Sequence, residues 1–252
     1  MNKTKNTDLI YGIRTVIEAI DSGKQVDKIL VRKGISGDLV NELIRLAHAH
    51  EIPMQNVPTE RFNTLGKRNH QGVIAYVSPI DFQPIEEVVT RLWEEGQTPF
   101  ILILDGITDV RNFGAIVRTA ECAGANAVVF PAKGSAMVGS DALKTSAGAL
   151  NHIPICRVKN LKSALTFLRD SGVRVVAASE KASTPYTKAN LTPPLAIVMG
   201  AEDTGISDET LRMADELVAI PIHGQVQSLN VGVAAGVMLY EAVRQKDEQK
   251  TV

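Results

Sequence analysis

Between Phe100 and Ile222 the chain carries six almost uniformly apolar runs, FILILDGI, AVVFP, ICRV, VRVVAAS, LAIVMG and LVAIPI, separated by segments of helical period. A strand with one face in water alternates apolar and polar residues. These runs do not alternate, so both of their faces are expected to be buried, which calls for a mostly parallel sheet flanked by helices in an α/β fold. The intervening helices are expected over Asn112–Ala123, Asp141–Leu150, Leu161–Asp170 and Glu209–Ala214. In sheets of this kind ligands gather beyond the carboxyl ends of the strands, so the loops that follow the apolar runs are where chemistry is to be sought.

Ahead of this region lies a smaller pattern. Ile13, Val16, Ile17 and Ile20 share a helical stripe in the segment 9–21, KILV reads as a strand, and Leu39, Leu43, Ile44 and Ala47 form the stripe of a second helix over 37–50. Ile52-Pro53 turns the chain toward another strand, residues 59–65 suggest a short helix, and GVIAYV is a further strand. Residues 1–78 therefore read as a small α/β domain. The segment 79–99, with Pro79, Pro84 and a terminal Gly-Gln-Thr-Pro break around one amphipathic helix, reads as a linker, and residues 100–252 as the main domain.

The formal net charge of -1 carries no global signature of a nucleic-acid binder. The charge is uneven, however: residues 1–78 hold 11 Lys+Arg against 8 Asp+Glu, and residues 79–252 hold 16 against 20. Any basic grip on a polyanion is expected in the first part, where Lys67-Arg68 stand in the polar turn 66–71, which reads equally as a phosphate-contacting loop and as a solvated turn. Cys122 and Cys156 lack metal-ligand spacing and read as buried small hydrophobes of a reducing compartment, with no metal site expected. The N-terminal residues lack a hydrophobic signal core, and the longest uncharged apolar run near the end, Val231 to Tyr240, is too short to span a bilayer. A cytoplasmic protein without membrane contact is expected.

Three loops beyond strand ends carry unusual residues. Asp105 to Thr119 reads DGITDVRNFGAIVRT and opens a helix near Asn112, with Arg118 less than two turns further on. Met199 to Ser207 reads MGAEDTGIS, its Gly200 and Gly205 bracketing Glu202-Asp203; it lacks the Lys-Ser/Thr of a phosphate-binding loop. No G-x-G-x-x-G follows any expected strand. The third is Ile220 to Val243, IPIHGQVQSLNVGVAAGVMLYEAV. Pro221 should end a strand over Leu217–Ile220, leaving His223 to Gln227 as an exposed loop, with Ser228 as the N-cap of a helix over 229–245. Gly232 and Gly236 lie one turn apart on that helix, each costing about 1 kcal/mol of helix propensity relative to Ala. A cost of that kind points to close approach of a second backbone, of a ligand or of an internal neighbour.

Taken together these segments resemble the SpoU-type RNA ribose 2'-O-methyltransferases of the SPOUT superfamily. The family's Asn-x-Gly-x-x-x-Arg-Thr/Ser-Ala appears as Asn112, Gly114, Arg118, Thr119 and Ala120; its Gly-x-Glu-x-x-Gly as Gly200, Glu202 and Gly205; its Ile-Pro with Ser-Leu-Asn-Val as Ile220, Pro221 and Ser228 to Val231. The match takes roughly a dozen specified residues over about 120 positions, in the family's order. One departure is Asp203-Thr204, where many relatives carry a glycine. Residues 8–78 look like the ribosomal-protein-L30-like RNA-binding domain attached to the members that modify large-subunit ribosomal RNA.

The resemblance implies a C-terminal segment threaded into a deep trefoil knot, an exception to the rule that chains do not thread loops. It implies S-adenosylmethionine as methyl donor, held largely by backbone groups at Gly200, Ile220 and Leu229. Among the catalytic residues it implies, Arg118 would face the RNA, Asn112 and Glu202 would orient the arginine, and Ser228 and Asn230 would bound the methyl pocket. A guanidinium holds its proton far above neutral pH, so Arg118 is expected to fix the target phosphate and stabilise a developing alkoxide, whether or not it also takes the proton. The expected partners are RNA, most closely a guanosine of 23S ribosomal RNA, and a second copy of the chain in a homodimer through the knot region. Methylation of transfer RNA, or RNA binding without catalysis, are the alternative readings.

Overall fold

The computed structural model describes residues 9–64 and 69–250. Lys67-Arg68, read from the sequence as either a phosphate contact or a solvated turn, lie outside the described residues. The chain divides into two compact units, one of residues 1–81 with 137–140, the other of residues 82–136 with 141–252.

The first unit is built on a four-stranded sheet. Its strands are β1 (Leu9–Tyr11), β2 (Val26–Arg32), β3 (Met54–Val57) and β4 (Val73–Val77), in the order β1-β4-β2-β3. β4 runs antiparallel to both neighbours, and β3 is parallel to β2. Leu9–Tyr11 is thus a strand and not the first turn of a helix over 9–21. Gly12 is the reason: its φ of 94° is a left-handed value that a helix cannot contain, so α1 starts after it, at Ile13–Asp21. α2 (Asp38–Ala49) buries Val40, Leu43 and Ala47, while Leu39 and Ile44 of the expected stripe are exposed. The face that meets the core runs through Leu43, Leu46 and Ala47, which pack with Val16 and Ile29, and this turns Leu39 and Ile44 toward solvent. α3 (Thr59–Thr64) puts Phe62 against the other sheet face, over Leu9, Leu30, Val57 and Ile74.

The second unit is the α/β sheet expected from the apolar runs. Its strands are β5 (Phe100–Asp105), β6 (Ala127–Pro131), β7 (Ile155–Val158), β8 (Arg174–Ala178), β9 (Leu195–Gly200) and β10 (Glu216–Val218). They lie in the order β10-β8-β9-β5-β6-β7, and every pairing is parallel. The residues that alternate along β5 are buried on both sides, Ile101 and Ile103 one way and Leu102 and Leu104 the other. β10 is shorter than the expected Leu217–Ile220; Ala219 continues only as a single bridge to Pro185 before Pro221 removes the next donor.

The helix of the expected linker is no connector. α4 (Ile85–Glu94) buries Ile85, Val88, Val89 and Leu92 in one core with Ile101, Val129, Leu165 and Val198. α5 (Val110–Cys122), α6 (Ser140–Thr145), α7 (Leu161–Asp170), α8 (Asp208–Met213) and α9 (Val231–Lys250) complete the unit. The helix expected over 141–150 breaks after Thr145, where Ala147 and Gly148 take positive φ, and resumes only as a 3-10 turn at Ala149–Asn151. Cys156 is buried, and desolvation pushes its thiol up to about 12; Cys122, against expectation, is exposed at the last turn of α5.

α5 and α9 pack on each other. Gly232 faces Ala115 and Ile116 and Gly236 faces Thr119 on α5, at ordinary contact distances of 3.9 and 3.6 Å from an added Cβ. The small-residue face of α9 is therefore turned inward, the internal role named above. Further along α9, Gln245 accepts from Leu191 N–H (2.7 Å) and donates to Ala189 O (3.0 Å). Glu241, its carboxyl drawn below the ordinary range chiefly by the hydrogen bond from Arg244, accepts from Gln245 Nε2 at 2.8 Å. The same connection between β8 and β9 is gripped at Tyr186, whose N–H donates to Ala219 O at 2.9 Å.

Gly114 is required by packing. A Cβ there would lie 2.0 Å from Thr145 Oγ1, 2.8 Å from Thr145 Cβ and 3.0 Å from Ala142 O, so α5 and α6 could not keep their approach. Gly114→Ala is expected to lower stability by about 1–3 kcal/mol, as overpacking does, measured as a lower urea midpoint with an unchanged slope.

Candidate active site

β5 and β9 end side by side, Asp105 opposite Gly200. Beyond Gly200 the chain folds back at once: Gly205 N–H donates to Ala201 O (2.9 Å) and Ala201 N–H to Gly205 O (3.1 Å). A Cβ on Gly200 would stand 2.3 Å from both Gly205 C and Ile206 N, so only glycine lets this loop lie against its own strand. Asp203 takes its place in the turn by accepting from Thr204 N–H at 2.9 Å, which is how the departure from the family's glycine is accommodated. The loop is tied down from outside by Asp105, whose Oδ2 accepts from Ser207 N–H (3.0 Å) and Ser207 Oγ (2.7 Å).

The loop projects Glu202 at the first turn of α9. Its Oε1 accepts from Val231 N–H (3.0 Å) and from Asn230 Nδ2, placing a negative charge where unpaired helix N–H groups and the macrodipole favour one. Asn230 Oδ1 accepts from Gly232 N–H (3.0 Å) and Val233 N–H (3.4 Å), so the N-cap of α9 is Asn230 and not Ser228. The Asn230 amide also donates to Asn112 Oδ1 at 3.1 Å, in the first turn of α5, which Asp109 caps by accepting from Arg111 and Asn112 N–H. One side chain thereby joins the three separated segments.

Beside this junction lies a cavity of about 430 Å³, within the 300–1,000 Å³ of small-molecule sites. Gly200, Glu202, Ile220, Ser228 and Leu229 all line it, with Met199, Val231 and Ala234 as apolar wall. The loop 221–230 that closes it is exposed throughout, as expected for His223 to Gln227. An adenosine-bearing donor fits this cleft: it has strand-end backbone at Gly200 on one side and apolar surface at Met199, Val231 and Ala234 on the other. Among the described residues no group of three or more His, Cys, Asp or Glu is arranged to hold a metal ion.

Arg118 stands apart from the group. It is exposed on α5, makes no hydrogen bond or ion pair among the described residues, and does not line the cavity. The expected orientation of Arg118 by Asn112 and Glu202 is not what their hydrogen bonds do; both are engaged by Asn230 and the start of α9. Sequence reading also passed over Asp105, Ser207 and the segment Ser179 to Lys181, which lines the cavity from the end of β8. Ser207 carried the signature of a helix cap, but its bond to a residue 102 positions away carried none.

The signature described as "SpoU rRNA Methylase family" matches residues 99–240, more than half of the chain. The chain belongs to the SpoU rRNA methylase family. A second signature, described as "RNA 2'-O ribose methyltransferase substrate binding", matches residues 9–83. A putative TrmH family tRNA/rRNA methyltransferase of Staphylococcus saprophyticus is 36% identical over 239 residues, 95% of this chain and 96% of that protein. Among solved structures, an AdoMet-bound rRNA methyltransferase from Sinorhizobium meliloti has a TM-score of 0.60 at 27% identity, covering 94% of this chain and 86% of its own. An RNA 2'-O ribose methyltransferase has a TM-score of 0.55 at 28% identity, covering 94% and 88%. This SpoU-family chain has no described helix long and apolar enough to cross a membrane.

The junction makes its own prediction. Asn230→Asp keeps an oxygen to cap α9 but replaces the shared donor by a carboxylate facing Glu202 and Asn112 Oδ1. A carboxylate pair raises the pKa of one member, so the repulsion acts above that pKa and is relieved as pH falls through it. The variant is expected to lose about 1–2 kcal/mol near neutral pH and to recover part of it toward pH ~5, read as urea midpoints across pH.

Proposed function

We propose that this protein transfers a methyl group from S-adenosylmethionine to a ribose 2'-hydroxyl of RNA, and that the target is a guanosine of 23S ribosomal RNA. The observation that carries the reading is the hydrogen-bonded union of Asn112, Glu202 and Asn230 beside a cleft lined by Gly200, Ile220, Ser228 and Leu229. When bound, the donor supplies a methyl group on a positively charged sulfur, open to in-line displacement. In this reading backbone groups at Gly200, Ile220 and Leu229 hold the adenine, and Ser228 and Asn230 bound the space for the methyl group.

Glu202 is not a free base, because its Oε1 is engaged by Val231 N–H and Asn230. Its role is to hold Asn230, and through it the start of α9, in register with α5. Arg118, exposed and unpaired among the described residues, is free to receive the target's phosphate through its planar fork and to stabilise the oxygen as negative charge develops. The N-terminal unit supplies the remaining grip on RNA, and its ribosomal-protein-L30-like character is part of the proposal. So is a trefoil knot, supported by the way the β8–β9 connection is tied both to Ala219 and to Gln245 of α9.

We further assign the partner copy to the outer face of α9, where Val233 and Tyr240, two turns apart, are 54% and 53% exposed. Tyr240→Lys is expected to shift the chain from dimer to monomer in sedimentation equilibrium; a wild-type monomer at micromolar concentration would remove the dimer from the reading.

The function is tested by labelled methyl transfer to 23S ribosomal RNA and to bulk transfer RNA, with 2'-O-methyl mapping of the product. Label on a single ribosomal guanosine is the expected result, and label on transfer RNA alone would overturn the choice of substrate. Arg118→Lys keeps the charge and loses the fork, and turnover is expected to fall at least about tenfold. Near-normal turnover would refute the positioning role.

A further inference from the structure

The wall of the cleft contributed by β8 holds a carboxylate for which the activity has so far given no use. Ser179 ends that strand's pairing by donating its N–H to Val218 O (2.8 Å), and then makes a tight turn: its O accepts from Ala182 N–H (3.1 Å), its Oγ from Lys181 N–H (3.3 Å). The turn holds Glu180 at the carboxyl end of β8, between the ends of β10 and β9. Glu180 Oε1 lies 3.9 Å from the position a Cβ on Gly205 would occupy, so the carboxylate reaches over to the folded-back loop. It makes no hydrogen bond or ion pair among the described residues. The other carboxylates of this wall are engaged, Glu202 with α9 and Asp203 with Thr204 N–H.

We infer that Glu180 binds the ribose diol of the methyl donor, an assignment that rests on the reading of this cleft as the donor site. A carboxylate is acceptor-only, with two oxygens that match two vicinal hydroxyls, and acidic side chains serve nucleotide riboses in this way at strand ends of other α/β sheets. The geometry separates the two halves of such a ligand. Glu180 stands on the β10–β8–β9 side together with Gly200 and Ile220, the groups assigned to the adenine, whereas the Asn112–Asn230 junction lies on the α5–α9 side, where the methyl group must point. The ribose links those halves, and Glu180 is the unengaged acceptor on the adenine's side of the link. Lys181, next in the turn, also lines the cleft. It is a donor and cannot serve the hydroxyls as acceptor.

The test is calorimetric and needs no RNA. Wild type and Glu180→Ala are titrated with S-adenosylhomocysteine, with its 2'-deoxy analogue, and with 5'-methylthioadenosine, which keeps the ribose but lacks the amino-acid ammonium. Glu180→Ala is expected to weaken the first and third ligands by the same factor, about tenfold or more, and to abolish most of the wild type's discrimination against the deoxy analogue. Unchanged affinity for S-adenosylhomocysteine overturns the assignment. So does a loss confined to that ligand, which would mean that the carboxylate reads the ammonium. If wild type binds none of the three, the donor-site reading itself fails and takes this assignment with it. The carboxylate has no partner to lose, so the variant should keep the wild-type melting temperature.

Discussion

The amide of Asn230 is the contact on which the rest of the site depends. It donates to Glu202 and to Asn112 while its oxygen caps α9, so the loop after β9, the start of α5 and the start of α9 hold one another through a single side chain. Each of those segments is short and exposed, and alone each would be free to move. Three weak restraints that share one group restrict one another, which is how an exposed polar cluster acquires a defined geometry. The negative charge of Glu202 at the helix N-terminus adds to this, because it lies where α9 offers its unpaired N–H groups.

Close backbone approach makes the junction reachable. Gly200 lets the loop 201–205 press against the end of β9, and Gly114 lets α5 settle on α6. In a sheet whose strands all point the same way, the carboxyl ends lie along one rim, and β5 and β9 bring Asp105 and Gly200 to adjacent places on it. Asp105 then reaches Ser207 and closes the far side of the loop. The cleft is what remains between this anchored loop, the turn after β8 and the exposed segment that leads into α9.

α9 carries two kinds of surface. Its inward side, with Gly232 and Gly236 against α5 and Gln245 on the backbone at Ala189 and Leu191, welds the end of the described chain to the sheet domain. Its outward side leaves Val233 and Tyr240 in solvent. The glycines therefore belong to internal packing, and any second copy has to be met by the larger side chains. On α5, Ala115, Ile116 and Thr119 meet the glycines of α9, while Arg118 is exposed.

The linear order of residues determined the parallel sheet and the three segments of the site, because both are written locally. Uniformly apolar runs have one stable destination, and a motif in a loop after such a run must lie at a strand end. Cysteine exposure, the rotation of α2 and the strand at Leu9–Tyr11 were not legible. Each turns on a neighbour distant in sequence, or on the φ of one glycine that no propensity encodes. The linker helix was misread for the same reason: amphipathicity shows that one face must be covered but not by what, and the cover is the core of the second unit. Within the site, the sequence alone determined which residue types are present. Which of them touch was decided by tertiary structure, since Asn230 meets Asn112 across 118 positions, Asp105 meets Ser207 across 102, and hydrogen bonds are directional contacts whose partners only a folded chain brings within reach.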